Sequence, residues 1–178
     1  MNDAERSVQE SAAGPDVTAE RGLSDVTAGQ AAERGMRVRR EVLGDAHVDR
    51  AVASTTGFTA PFQDLITRYA WGEIWSRPGL TRAERSMITL TALAVLRQDE
   101  ELALHTRAAL RNGLTPEQIG EVLLQVAVYA GVPASNRAFA IAQRVLAEAG
   151  AADGAAAEGA AADGAAAEGA ADGPGDKT

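Results

Sequence analysis

Residues 81–96 read TRAERSMITLTALAVL, and this stretch decides the fold class. Thr81 and Glu84 stand at the spacing of a capping box, in which each side chain accepts a bond from the other's backbone N–H. A helix therefore opens beside Thr81. Beyond it Met87, Ile88, Leu90, Leu93, Val95 and Leu96 make the helix apolar almost all round. Such a helix is buried, either at the centre of its own subunit or by a partner subunit. The flanking segments follow the same pattern. Phe62, Leu65, Ile66, Tyr69 and Ile74 recur at helical spacings from Ala60 to about Trp75, until Arg77-Pro78-Gly79 interrupts. Asp99 caps a helix over 100–111, which Asn112-Gly113 ends. Thr115-Pro116-Glu117-Gln118 opens another, to about Ala130, and Gly131-Val132-Pro133 separates it from a last helix over 134–148. Upstream, 36–43 ends at Gly44 and a short helix fits 46–54. No strand alternation or hairpin turn is found. The predicted fold is all-α, a compact bundle of about six helices. The apolar surplus of 86–96 and 122–130 predicts a homo-oligomer, against the alternative that both helices cross inside a monomer.

Working outward, the chain divides into three segments. Its 178 residues carry a net charge of -8. Residues 1–34 hold seven acids and three arginines, and 151–178 hold six acids and one lysine. Residues 35–150 hold thirteen arginines against twelve acids and are nearly neutral. The acidity belongs to the two ends. The segment AADGAAAEGA occupies 151–160 and again 161–170, with no large apolar residue after Leu146. That composition predicts a disordered acidic Ala/Gly repeat tail at 151–178. Residues 1–34, with no aromatic and no continuous apolar run, predict a disordered acidic extension and no signal peptide. The folded domain is then 35–150.

The same counts exclude several function classes. With no cysteine there is no disulfide, thiolate nucleophile, Cys-ligated zinc or iron–sulfur cluster. Two histidines cannot build a His-rich metal site, and no Gly-rich phosphate loop or G-x-S-x-G elbow occurs. The longest apolar run, 86–96, is short of the roughly 20 residues a bilayer span needs. The acidic balance argues against nucleic acid and anionic membrane as partners. A cytoplasmic location is expected.

The densest polar cluster is Arg97-Gln98-Asp99-Glu100-Glu101, followed by His105. Glu101 and His105 share a helical face, and a carboxylate beside an imidazole orients it and raises its pKa. The same acidic run also serves as an ordinary dipole-complementing helix start. Arg85, in the first turn of the apolar helix, needs a carboxylate from the protein or from a ligand. Trp71 and Trp75 share a face, and either wall a pocket or fill the core. Tyr129 lies just before the Gly131–Pro133 break, where a turn could face a cavity. His47 follows Gly44-Asp45, where a cap or surface role is the default.

Three stretches carry a family resemblance: RREVLGDAHVDRA (39–51), WGEIWSRPGLTRAERSMITL (71–90) and EELALHTRAALRNGLTPEQIGEVLLQVAVYAGVPASNRAFAIA (100–142). Together, over about 35–148, they resemble the γ-carboxymuconolactone decarboxylases. The resemblance implies an alkylhydroperoxidase-like all-α subunit in a ring-like homo-oligomer, a hexamer. It implies a cofactor-free carboxy-lyase of the protocatechuate branch of the β-ketoadipate pathway, turning the dicarboxylate lactone γ-carboxymuconolactone into β-ketoadipate enol-lactone and CO2. The wider superfamily includes alkylhydroperoxidases with a Cys-x-x-Cys-x-x-x-His motif. Aligned on His105, the cysteine positions fall on Gln98 and Glu101, so this chain lacks the thiols that peroxidase chemistry needs.

On that resemblance, His105 is assigned the proton transfer or the oxyanion contact, with Glu101 or Glu100 orienting it. The residues leave open whether His105 or Glu101 is the acid. Arg85 is assigned a substrate carboxylate, Trp71, Trp75 and Tyr129 the pocket wall, and His47 a lesser place in substrate binding. No metal or cofactor is expected, because the substrate carries its own electron sink. Two alternatives remain: another cofactor-free lyase or isomerase acting on a related lactone or keto acid, and a non-catalytic helical scaffold.

Overall fold

A computed structural model describes residues 27–169, with side chains described as far as residue 151. Seven α-helices follow in chain order: α1 (Ala28–Leu43), α2 (Asp45–Ala53), α3 (Ala60–Ile66), α4 (Arg82–Leu96), α5 (Asp99–Arg111), α6 (Pro116–Ala130) and α7 (Val132–Gly169). Between α3 and α4, residues Thr67–Ile74 continue α3 as a π-helical turn. No strand occurs among the described residues. The helix ends are set by local chemistry. Thr81 N donates to Glu84 Oε2 at 2.7 Å while Glu84 N donates to Thr81 Oγ1 at 3.2 Å, and Thr115 and Gln118 repeat the arrangement. Gly44 and Gly131 take φ of 85° and 86°, which only glycine adopts without cost, and each separates two helices.

Two boundaries differ from the sequence expectation. α1 begins at Ala28, not Met36, so residues 28–34 are helix and not part of a disordered extension. A capping box of Thr27 and Gln30 starts it. Its buried face consists of Ala31, Gly35, Val38, Arg39, Val42 and Leu43. Small residues and an arginine give no hydrophobic periodicity, which is why that face is silent in the sequence. At the other end the α7 backbone stays helical through the first repeat and most of the second, to Gly169. Alanine, the strongest helix former, outweighs the interspersed glycines there. Residues 1–26 and 170–178, the remainder of the two ends expected to be disordered, lie outside the described residues.

The core has two parts. The larger joins α4, α5, α6 and α7 around Leu90, Leu102, Ile119, Leu123, Val126 and Val145. The smaller joins α1, α2, α5 and the π-helical turn around Val38, Val42, Leu43, Val48, Trp71 and Ala108. α5 contributes to both.

The single α-helix expected over 60–75 is instead α-helical to Ile66 and π-helical beyond. Trp75 N donates to Ala70 O at 2.8 Å, five residues back. The widened turn accompanies a backbone-to-backbone crossing with α1. A Cβ added to Gly35 would lie 2.0 Å from Thr67 O, and one added to Gly72 would lie 2.2 Å from Ala31 O. Only glycine fits at either position. Gly72 O accepts from Arg34 Nε at 2.8 Å and from Ser76 Oγ at 2.6 Å, so that carbonyl is fully bonded without a regular α-helical partner.

Candidate active site

The smaller core holds the groups with chemical potential. Its helices place them by short-range geometry. In the wide turn Trp71 and Trp75 stack, with ring centroids 5.1 Å apart and planes at 37°. His105 from α5 lies against the outer indole, 6.4 Å from Trp75 centroid to centroid and at 28°. Trp71 is 7% exposed, and His105 and Trp75 are half-buried. π-helical turns are rare and cluster at functional sites.

Burial, followed by the charge of nearby His47, pushes the His105 pKa down to about 4. At neutral pH it is an uncharged imidazole. His47, from α2, is also held below the ordinary histidine value, first by burial and then by Arg39 and Arg50, with Glu101 opposing. Both rings therefore favour the neutral form until an anion arrives.

After burial, the first of the cations acting on His47 is Arg39, on α1, one helical turn past the Gly35 crossing. It is only 5% exposed. Its Nη1 donates to Gln63 Oε1 at 3.0 Å and lies 3.5 Å from Thr67 Oγ1. Its buried Nε has no hydrogen-bond partner. Burial lowers its pKa. Every ion pair among the described residues involves some other arginine.

Beside His47 a cleft of about 460 Å³ opens between α1, α2 and α5, lined by Arg40, Arg50, Arg107 and Arg111 with Leu43 and Leu104. Arg40 is bound by Asp45 at 2.9 Å and Asp49 at 2.7 Å, and Arg107 by Glu148 at 3.1 Å. Arg50 and Arg111 make no ion pair among the described residues. The cleft is thus net cationic, suited to drawing in an anion.

Of the residues singled out in the sequence, the structure brings His105, Trp71, Trp75 and His47 together. Glu100 and Tyr129 lie elsewhere, and Glu101 and Arg85 take other contacts at the edge of this group. Glu101 is exposed and forms no hydrogen bond to His105. Its charge acts on His47, and the expected rise in the His105 pKa is replaced by a fall, because His105 turns inward and loses solvent. Glu100 lines a separate surface cleft with Asp99 and Arg137. Arg85 donates from Nη2 to Arg77 O at 2.9 Å, in the turn after Trp75, and its Nε is buried without a partner. Tyr129 is 80% exposed and lies on a groove between α4 and α6 with Met87, Val95 and Val122. Arg39 was missed, and so were Gln63 and Thr67. The available signal was positional: Ala31, Gly35, Arg39 and Val42 fall on one helical row, which makes Arg39 an inward residue once α1 is extended. Among the described residues no cluster of three or more His, Asp or Glu could hold a metal ion. No described helix is long and apolar enough to cross a membrane.

A family model described as the carboxymuconolactone decarboxylase family matches residues 60–144, which contain Trp71, Trp75 and His105. The chain is 44% identical over 118 residues to the 4-carboxymuconolactone decarboxylase of Acinetobacter baylyi, covering 66% of this chain and 88% of that protein. It is 43% identical over 114 residues to the nitrosuccinic acid decarboxylase npaB of Metarhizium robertsii, covering 64% and 80%. A shorter match, 54% over 41 residues, joins it to a 4-carboxymuconolactone decarboxylase of Pseudomonas putida, covering 23% and 85%. With nearly nine-tenths of the Acinetobacter protein matched, and with the indole–imidazole stack inside the family segment, the chain belongs to the carboxymuconolactone decarboxylase family.

Proposed function

We propose that the protein is a carboxy-lyase that converts γ-carboxymuconolactone to β-ketoadipate enol-lactone and CO2, the protocatechuate-branch reaction of the β-ketoadipate pathway. The observation that carries this reading is an uncharged, half-buried His105 stacked on Trp75, close to His47 and the cationic cleft that His47 lines. Family membership and the names of the Acinetobacter and Pseudomonas relatives support the substrate.

The chemistry fits these groups. The γ-carbon of the lactone bears a carboxylate and a carboxymethyl group, and the ring carbonyl is conjugated to the ring double bond. When the carbon–carboxylate bond breaks, its electron pair moves through that double bond to the carbonyl oxygen. CO2 leaves and a dienolate remains. A proton added to the carbon next to the carbonyl completes the enol-lactone. In this reading a neutral His105 N–H donates to the carbonyl oxygen where charge develops, a contact stronger in the transition state than in the substrate. His47, at the edge of the cleft, relays the proton from water, and Glu101 acts on His47. Trp71 and Trp75 give the departing carboxylate an apolar face. Arg85, Glu100 and Tyr129 stand outside this assignment.

A second reading is favoured by the Metarhizium relative. Nitrosuccinic acid is also a dicarboxylate with a built-in electron sink, its nitro group. The wider class is therefore decarboxylation of small dicarboxylates next to such a sink. The deciding experiment incubates the purified protein with freshly made γ-carboxymuconolactone, and separately with nitrosuccinate, and follows CO2 and product. Turnover of the lactone alone, or far faster than nitrosuccinate, supports the first reading. Turnover of neither above the uncatalysed rate overturns both.

The working unit is inferred to be a homo-oligomer, a hexamer, of domains running from about Thr27 to Gly150. Two separate apolar faces support this. One, on α4 and α6, exposes Ile88, Leu96, Val128 and Tyr129, the last two by 77% and 80%. The other, around α3, exposes Phe58, Phe62, Leu65 and Tyr69. Apolar area of this kind on a soluble chain marks association, and two distinct interfaces suit closed dihedral symmetry. Sedimentation equilibrium tests it, and a monomer at micromolar concentration would refute it.

A further inference from the structure

An arginine that is taken out of water is ordinarily paired with a carboxylate, because an unpaired buried charge is costly. Arg39 departs from this. It is 5% exposed, its hydrogen-bond partners are the neutral side chains of Gln63 and Thr67, and its Nε is buried with no acceptor. An amide and a hydroxyl hold the guanidinium in one orientation without cancelling its charge. The Gly35–Gly72 crossing, which no other residue type can make, sets α1 against Thr67 and so fixes that orientation. The arrangement is expensive unless an anion completes it, and none of the described carboxylates does. Arg85, the other arginine with an orphaned Nε, is half-buried and anchored on a backbone carbonyl.

The chemistry decides which anion belongs there. In this decarboxylation, charge leaves the departing carboxylate and appears on the lactone carbonyl oxygen. A cation bound to the departing group stabilises the substrate more than the transition state and slows the step. A cation bound to the other carboxylate costs nothing at the transition state and fixes the orientation of the ring. We infer that Arg39 is the substrate-positioning residue that binds the carboxylate the lactone keeps, which turns the departing carboxylate toward the Trp71–Trp75 face. This deepens the decarboxylase reading and rests on it.

The test uses the full chain and one added probe: the same lactone with hydrogen in place of the γ-carboxylate, which keeps only the carboxymethyl group. Its affinity is measured by calorimetry on wild type, R39Q, R39K and R85Q, together with kcat, KM and thermal midpoint. R39Q should bind the probe roughly ten- to a hundredfold more weakly, the loss expected for a charge-assisted pair. R39K should recover part of it, and R85Q should bind like wild type. The midpoint of R39Q should hold or rise, since removing an unpaired buried charge relieves the fold. Probe affinity of R39Q within about twofold of wild type would overturn the inference. So would a fall of many degrees in its midpoint, which would make Arg39 a structural group. Turnover by wild type separates the two claims. A wild type that binds the probe through Arg39 but does not react sinks the reaction and keeps the site. A wild type that reacts while R39Q binds and reacts equally well sinks the site and keeps the reaction.

Discussion

The half of the molecule built from α4 to α7 and the half built from α1, α2 and the π-helical turn solve different problems. The first is packed by large aliphatics. Leu90, Leu102, Ile119 and Leu123 are at most 2% exposed, and its helices α4 and α6 open with complete capping boxes. The second has a smaller core, a backbone crossing too tight for any side chain, an irregular turn and a buried cation. Local rules are obeyed where the protein needs rigidity and broken where it needs a site. Such violations persist only when the surroundings over-determine them. α5 joins the two halves, burying Leu102 and Ala109 in the first core and Ala108 in the second.

If that division is correct, substitutions in the two halves should separate activity from stability. The largest effect is expected from Gly35→Ala. Its Cβ meets Thr67 O at 2.0 Å with backbone on both sides, so α1 must move. A displacement near 1 Å at one positioning group costs turnover on the order of a hundredfold, and Gly35→Ala shifts both Arg39 and the turn that carries Trp71, so the loss compounds beyond that. Steady-state kinetics should show that loss while the far-UV helical signal largely survives. Retained turnover would mean the crossing does not organise the site.

Next is His105→Phe, which keeps the stack on Trp75 and removes the N–H. Loss of one oxyanion donor lowers kcat by about a hundredfold to a thousandfold. The same variant has a stability signature. The unfolded chain protonates this ring near 6.5 and the folded protein near 4, so the unfolded state holds more protons between those values. The contribution is complete above pH 6.5 and is lost as pH falls toward 4, amounting to about 3 kcal/mol. Urea unfolding at pH 7 and pH 4.5 should show a smaller difference in the variant than in the wild type.

Leu123→Ala should do the reverse. The side chain is 1% exposed in the larger core, and truncation there costs about 2–5 kcal/mol. Turnover per folded molecule should stay near wild type. A large drop in kcat would show that the bundle is not merely a platform. The smallest effect is expected from Thr81→Ala, which deletes the α4 cap and costs about 1 kcal/mol without touching kcat.

The first half was largely legible. Thr81, Glu84, Thr115, Gln118 and Gly131 act over a few residues, and local signals survive tertiary context. In the second half the pairing of Trp71 with Trp75 was legible from their spacing, and His105 as a candidate from its polar cluster. Three things were not. The early start of α1 was hidden because its inner face uses Ala31, Gly35 and Arg39 in place of large aliphatics. The π-helical turn has no local signature, since it answers to a crossing with residues more than thirty positions away. The Glu101–His105 pairing followed spacing correctly but not direction: spacing places two side chains on one face, whereas burial decides which points inward.

The wide turn from Thr67 to Ile74 also bears on how such a protein can change over generations. A π turn holds one residue more than the α-helical turn it replaces, so loss of one residue between Tyr69 and Ile74 would return the segment to an ordinary helix and leave Trp75 in register with His105. What would go is the bulge itself, and with it the Gly72 carbonyl that Arg34 and Ser76 now bond. A single codon deletion could therefore tighten the frame beneath the stack while keeping the stack, a kind of change that point substitutions alone do not offer.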